Sequence, residues 1–476
     1  MRESPNLLLI VLDAVRSDVM GSTFVDTSRT LQAERCITSA PWTLPSCMAM
    51  LRGTPAWQIG PRAFWRPRRR QRRFMPIGRR ARPDRTPRPP NLLLDRLGDG
   101  WRKAAYVNNP AIGRGSGAET GFDVWDYSTD YEEPFERAAD EISNARRGQP
   151  VFLVLHSNMV HDFYRPDASR YATTMDPPLG PRVVQWRDLD AEEADAARAT
   201  YRSCAAALES RMRATVDLAR QRDDFIIAVT SDHGEGLEPD RARVHHGGRV
   251  HQDLIQVPLW FDLPSSISTV GRDRLADTLA STVVSSTEIL PTLFETAGVA
   301  ELGADVGFPP GRAKPRTLVS EDRRYLYLRD RFRLNWEGLM QNMTKADQAR
   351  NQRMLEQLDQ AIVLRSFLRF PDKLIVTSMT PKASTNGRSL PSAIRELCRQ
   401  LSGTPVLLRH GDQILALQHY DLVKDPAEET NLLADNGWQS DLIGEPWIGD
   451  LTVLGPGAVE RSLAEAIELG EQLSLT

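Results

Sequence analysis

The sequence predicts an α/β protein: a mixed, mostly parallel central sheet sandwiched by helices, with a smaller α+β subdomain at its C-terminal end. Three observations predict it. Residues 7–12, 151–155 and 225–229 are continuous apolar runs rather than alternating ones, as strands buried on both faces of a parallel sheet require. Helix-compatible stretches lie between them, and the texture changes after about residue 310. A chain of 476 residues has room for both parts, which places a catalytic α/β domain at 1–310 and the subdomain at 311–476.

Taken in order, the first apolar run ends in Asp13. Residues 45–51 are apolar and helix-compatible, and Pro45 suits a first helical turn, so a helix begins near Thr43. Residues 61–90 form the one low-complexity segment, rich in Arg and Pro with Phe64, Trp65 and Phe74 interspersed. A helical stretch at 91–97 follows. The second apolar run ends in His156 and the third runs into Thr230-Ser-Asp-His233. Between them, residues 191–220 read as a long amphipathic helix rich in Ala, Glu and Arg. Residues 286–297 read as a helix closed by Gly298. A charged helical segment at about 337–362 precedes strand-like pieces at 361–368 and 373–377. No internal repeat is present.

Composition bounds the function classes. Hydrophobic content of 41% and charged content of 26% are those of a soluble globular chain. The net charge of −3 hides an asymmetry: residues 61–90 hold twelve Arg, no Lys and only Asp84 as an acid. Cys36, Cys47, Cys204 and Cys398 form no CxxC pair, which speaks against a disulfide framework and for a reduced, cytoplasmic setting. The N-terminal apolar run is too short for a signal-peptide core or a membrane span, and no longer one follows, so no membrane anchor is expected.

Where the three runs end matters most for chemistry. In open α/β sheets, ligands bind beyond the carboxyl ends of the strands, and here those ends carry Asp13, His156 and Asp232-His233. A hydroxyl at Thr43 would meet free N–H groups and the positive end of a helix dipole, a natural seat for phosphate; the plain alternative is that Thr43 caps the helix. Two carboxylates, an imidazole and a hydroxyl suit one divalent Mn²⁺ or Zn²⁺ better than Ca²⁺ or Mg²⁺. Such an ion would lower the Thr43 pKa and polarise an ester oxygen. Six of eight His (His156, His161, His233, His245, His246, His251) cluster along the chain. His161 and His246 are the candidates to hold a non-bridging oxygen or protonate a leaving group.

These residues resemble the sulfatase branch of the alkaline phosphatase superfamily. The resemblance runs through residues 5–18, 40–48, 121–123, 151–166, 230–235, 245–259 and 289–292, and residues 420–432 resemble the family's closing motif. It implies a sulfatase-like α/β fold, with Asp13, Thr43, Asp232 and His233 at metal-site positions and Thr43 also the nucleophile. It places His161 and His246 on the substrate side and Asn108 or Asn109 at a polar oxyanion contact. His156 and Arg249 join these as candidate substrate-binding residues.

The departures matter as much. Sulfatases convert Cys or Ser within C/S-x-P-x-R to formylglycine, whereas this register reads Thr43-Leu-Pro-Ser-Cys47, without the convertible residue or the Arg. Cys47 reads as a small packed side chain. Relatives with Thr at this place resemble phosphodiesterases, phosphonate ester hydrolases and phosphoryl-alcohol transferases. The family's Asp-Asp pair is Asp13-Ala14 here, and its Asp-x-x-x-His is Ser157-Asn-Met-Val-His161, which favours one metal over two. The expected activity is therefore metal-dependent cleavage of a phosphate or phosphonate ester through a phospho-threonine, by hydrolysis or transfer to a soluble acceptor. Sulfate-ester cleavage by Thr43 is the alternative, and catalytically silent polyanion binding a third. The Arg-rich segment could bind a polyanionic substrate through its guanidinium groups, and its interleaved aromatics are also the footprint of nucleic-acid binding. A solvated insertion is the plainer account of the same residues.

Overall fold

The computed structural model describes residues 4–20, 29–59, 91–146, 148–161, 163, 191–238, 243–247, 249–281, 283–299, 318–324, 362–379, 406–410 and 413–435. The Arg-rich segment 61–90 and the charged stretch expected at 337–362 lie outside these residues, except for Ile362. The chain divides into two compact units, one of residues 1–59, 88–247 and 251–314, the other of 60–87, 248–250 and 315–476.

The first unit is built on a seven-stranded sheet. Its strands are β1 (Asn6–Leu12), β2 (Thr30–Gln32), β3 (Arg102–Val107), β4 (Val124–Tyr127), β5 (Val151–Ser157), β6 (Phe225–Ser231) and β7 (Leu259–Asp262). Their spatial order is β2-β7-β6-β1-β5-β3-β4. The pairs from β6 through to β4 are parallel, and only β7 runs antiparallel, against both β6 and β2. The sheet is thus mixed and mostly parallel. Every residue of β1, β5 and β6 is buried, which is why their sequences are unbroken apolar runs.

Helices cover both faces. Along β5, Leu153 joins the core of α2 (Glu133–Asn144) and α3 (Ala191–Arg222), through Phe135, Ile142, Tyr201, Leu208 and Met212. Its neighbour Phe152 points the other way and meets Phe294 of α4 (Ile289–Thr296) edge-on, centroids 5.8 Å apart, as the two-residue period of a strand dictates. Helix α1 (Thr43–Arg52) has every residue from Thr43 to Leu51 buried and ends on Gly53 in the left-handed region, φ 60°.

Register sets the site. Leu12 lies level with Ser157 on one side and Ser231 on the other, so the residues that follow all three strands emerge together. On β3, Val107 lies level with His156. The chain turns sharply after β1 because Ala14 takes φ 60°. That turn is tied down from two sides: Ala14 N–H donates to Asp232 Oδ1 (3.2 Å), and Tyr201 Oη of α3 donates to the Ala14 carbonyl (2.7 Å).

The second unit carries a five-stranded antiparallel sheet of β8 (Leu318–Arg324), β9 (Ile362–Arg369), β10 (Asp372–Met379), β11 (Val406–His410) and β12 (Gln413–Asp421), in the order β8-β9-β10-β12-β11. Strands β9 and β10 fall on the strand-like pieces expected at 361–368 and 373–377. Lys373 and Glu428 form a fully buried ion pair here, Nζ to Oε1 at 2.5 Å. No described helix is long and apolar enough to cross a membrane.

Candidate metal centre

Four adjacent parallel strands deliver polar residues to one place: Asp232-His233 after β6, Asp13 after β1, His156 from β5, and Asn108-Asn109 after β3. Sequence reasoning from apolar runs identified three of these strands; β3 opens with Arg102-Lys103 and so lacks the unbroken pattern.

Thr43 is the first residue of α1, and Trp42 occupies the cap without any side-chain capping bond. Thr43 is therefore not a helix cap. Its hydroxyl donates to Asp13 Oδ2 (3.4 Å), stands 3.3 Å from His233 Nε2 and accepts from Asn109 Nδ2 (3.3 Å). Asn109 also donates to Asp13 Oδ2, while its own Oδ1 accepts from Ala111 N–H (2.7 Å), which fixes the amide's orientation. Of the two asparagines, Asn109 touches Thr43; Asn108 instead accepts from Asn158 N–H (2.6 Å) and shapes the turn after β5.

Asp13, Asp232 and His233 are each fully buried, and one donor atom from each lies within 4.8 Å of the others. His233 Nδ1 donates to the Gly234 carbonyl (2.7 Å), which leaves Nε2, 3.3 Å from Asp13 Oδ1, as the nitrogen available to a metal. Asp13 Oδ1 accepts no aligned hydrogen bond among the described residues. Burial alone would raise the Asp13 carboxyl, but His161, His233 and His156 outweigh it and hold the group well below the usual range. Burial would lower His233, yet the carboxylates of Asp232 and Asp13 push it up to about 9. A proton is held where two desolvated carboxylates leave strong negative potential, and a divalent ion satisfies the same need. The donor set of two carboxylates, an imidazole and a hydroxyl fits such an ion.

The other predicted residues divide. The ring of His246 lies 4.5 Å from that of His233 and 4.7 Å from that of His161, centroid to centroid, so all three share one cluster. His156 is buried beside the carboxylates, Nε2 3.7 Å from both Asp13 Oδ2 and Asp232 Oδ2. It lies among the candidate metal ligands. Arg249 is buried and falls in the second unit.

Two residues were missed. Glu235, fully buried, accepts from His246 Nδ1 (3.0 Å) and supplies a carboxylate where none was expected. Cys47 is packed, as expected for a small side chain, but its Sγ lies 3.8 Å from Asp232 Oδ2. Burial, with Asp232 and Asp13 nearby, pushes its thiol well up. The signal was present: Cys47 is four residues after Thr43, one helical turn along the same face.

With this geometry in hand, comparison with known proteins is informative. Residues 81–299 match the Sulfatase family model, a span that contains Asn109, His156, His161, Asp232, His233 and His246 and begins after Asp13 and Thr43. No curated protein matches the chain. Among solved structures, a presumed sulfatase of Bacteroides thetaiotaomicron is similar over 97% of this chain and 94% of its own, at 16% identity and TM-score 0.60. A 2-O GAG sulfatase is similar over 99% and 94%, at 15% identity and TM-score 0.57. A protein solved with its substrate D-glucosamine-2-N,6-O-disulfate is similar over 99% and 98%, at 12% identity and TM-score 0.55. Sequence match and structural similarity agree with the resemblance carried by the motifs: this chain has a sulfatase-like α/β fold.

Proposed function

We propose that the protein is a metal-dependent hydrolase, or a transferase to a soluble acceptor, that cleaves phosphate or phosphonate esters with Thr43 as its nucleophile. The observation that carries this reading is the position of Thr43 Oγ1, at the start of α1 and within 3.4 Å of Asp13, His233 and Asn109 side chains. Asp13, Thr43, Asp232 and His233 would hold one Mn²⁺ or Zn²⁺, which supplies Lewis acidity to the Thr43 hydroxyl and the ester oxygen.

The chain's own residues do the rest. Thr43 gives up its hydroxyl proton to solvent, and Oγ1 forms its bond to phosphorus as the bond to the leaving alcohol breaks on the opposite side, giving a covalent phospho-threonine. Asn109 Nδ2 and the backbone N–H groups of Thr43 and Leu44, at the start of α1, are the donors for the non-bridging oxygens. A carboxylate partner at Nδ1 makes His246 Nε2 its working nitrogen. With His161 beside it, His246 protonates the leaving oxygen and then accepts the proton of incoming water or alcohol. That second attack at phosphorus breaks the bond to Thr43, whose oxygen takes a proton back from solvent to restore the hydroxyl.

Sulfate-ester cleavage is the second reading, supported by the family match and by the sulfatase names of the similar structures. The test offers purified protein, with Mn²⁺ or Zn²⁺, an aryl phosphodiester, a phosphonate monoester, a phosphomonoester and a sulfate ester. Turnover of the phosphodiester or phosphonate is expected, with loss of at least about 100-fold in Thr43→Ala and Asp232→Ala, the scale of losing a nucleophile or its activation. Sulfate turnover without phosphodiester turnover would overturn the first reading, and unchanged activity in Thr43→Ala would remove the nucleophile. Binding of heparin or nucleic acid without any turnover would favour a polyanion-binding role, with the Arg-rich segment 61–90 as its candidate surface.

A further inference from the structure

Beside Asp13, Thr43, Asp232 and His233, the structure contains a second set of donors. Cys47 Sγ, a ring nitrogen of His156 and a carboxylate oxygen of Asp232 lie within 4.8 Å of one another, and all three side chains are buried. His156 is the telling member. It is 1% exposed, neither of its ring nitrogens makes a hydrogen bond among the described residues, and Nε2 stands 3.7 Å from Asp232 Oδ2. Buried polar groups are nearly always partnered, and an imidazole left so beside a carboxylate and a sulfur is arranged as a ligand set. Asp232 Oδ1 is taken by the N–H groups of Ala14 and His233, while Oδ2 is the oxygen nearest Cys47, His156 and His233.

We propose that Cys47, His156 and Asp232 form a second, thiolate-containing site for Zn²⁺, sharing Asp232 with the ion beside Thr43. It rests on the buried carboxylates that the proposed ester chemistry also uses. It differs from the second-site positions of the family resemblance, which involve His161 and His246 and an Asp that is Ser157 here. One sulfur, one imidazole and one carboxylate make a borderline-soft donor set, suited to Zn²⁺ and poorly suited to Mg²⁺ or Ca²⁺. On binding, the Cys47 S–H proton passes to solvent and sulfur bonds to the metal, with no change of oxidation state. Because Thr43 and Cys47 occupy successive turns of α1, an ion at Cys47 ties that helix to the ends of β5 and β6 and so fixes the nucleophile's position.

Cobalt substitution tests this without relying on turnover. The full chain, stripped and reloaded with Co²⁺, is expected to bind two equivalents and to show thiolate-to-cobalt charge-transfer absorption in the near ultraviolet. Cys47→Ser is expected to lose that absorption and one equivalent of metal, His156→Gln to lose the equivalent, and Thr43→Ala to keep the absorption. Wild-type protein that binds cobalt without the absorption overturns the proposal, whatever the variants do. So does absorption that persists in folded Cys47→Ser. One ion, no charge transfer and normal ester turnover would remove this site and leave the ester reading standing. Charge transfer without turnover of any ester would do the reverse.

Discussion

At the residue scale, the turn at Ala14 is where the fold and the site meet. A non-glycine residue at φ 60° costs on the order of 1 kcal/mol, and here Tyr201 holds it in place. The phenol donates to the Ala14 carbonyl and accepts from Arg16 N–H (3.0 Å). Tyr201→Phe keeps the ring packed yet leaves both backbone groups without that partner. It is expected to destabilise the protein by about 1–3 kcal/mol and to weaken metal binding, since the same turn presents Asp13. Urea unfolding and cobalt titration check it; a fully stable variant with unchanged metal affinity would show that the turn holds itself.

At the element scale, the segment after β6 is governed by a close approach. A Cβ built on Gly234 would lie 2.0 Å from the Asp253 carbonyl oxygen, and Gly234 N–H donates to the Leu254 carbonyl (2.8 Å). Glycine is needed there for space, not for a left-handed angle. Gly234→Ala is expected to cost about 1–3 kcal/mol or more and to disturb His233 and Glu235 together, read as lost metal content and a lower unfolding midpoint. The sequence made much of this region legible, since buried parallel strands are written as apolar runs and their polar ends are visible in order. Asn109 was legible only as one of two candidates, because which amide reaches Thr43 depends on the turn after β3. Cys47 was legible only as a packed side chain and Glu235 was passed over, for a related reason. Cys47 meets Asp232 at a separation of 185 residues and Glu235 meets His246 at 11, contacts that single-chain spacing does not encode.

At the scale of the whole molecule, the proposed metal ligands come from distant parts of the first unit. Asp13 contacts Thr43 at a separation of 30 residues and Asn109 at 96, and the Ala14–Asp232 bond spans 218. An ion that needs these groups together binds the folded chain and not the unfolded one. At a hundred times its dissociation constant such an ion adds about 2.7 kcal/mol to stability. Thermal unfolding is therefore expected to shift upward with added Zn²⁺ and downward with a chelator, and Asp232→Asn is expected to abolish the difference. A melting temperature indifferent to metal and chelator would count against a metal at this centre.

The flush register of β1 between β5 and β6 carries a kinetic consequence. Those three strands are far apart along the chain, so every pairing among them closes a loop of more than a hundred residues, the kind of contact that forms late and slowly. The ligands mature only when the last of these pairings is made. Capture of the proposed ion would then work as a completion signal: a nascent or misregistered sheet, shifted by a single residue, would turn its polar ends to opposite faces and leave no ligand set.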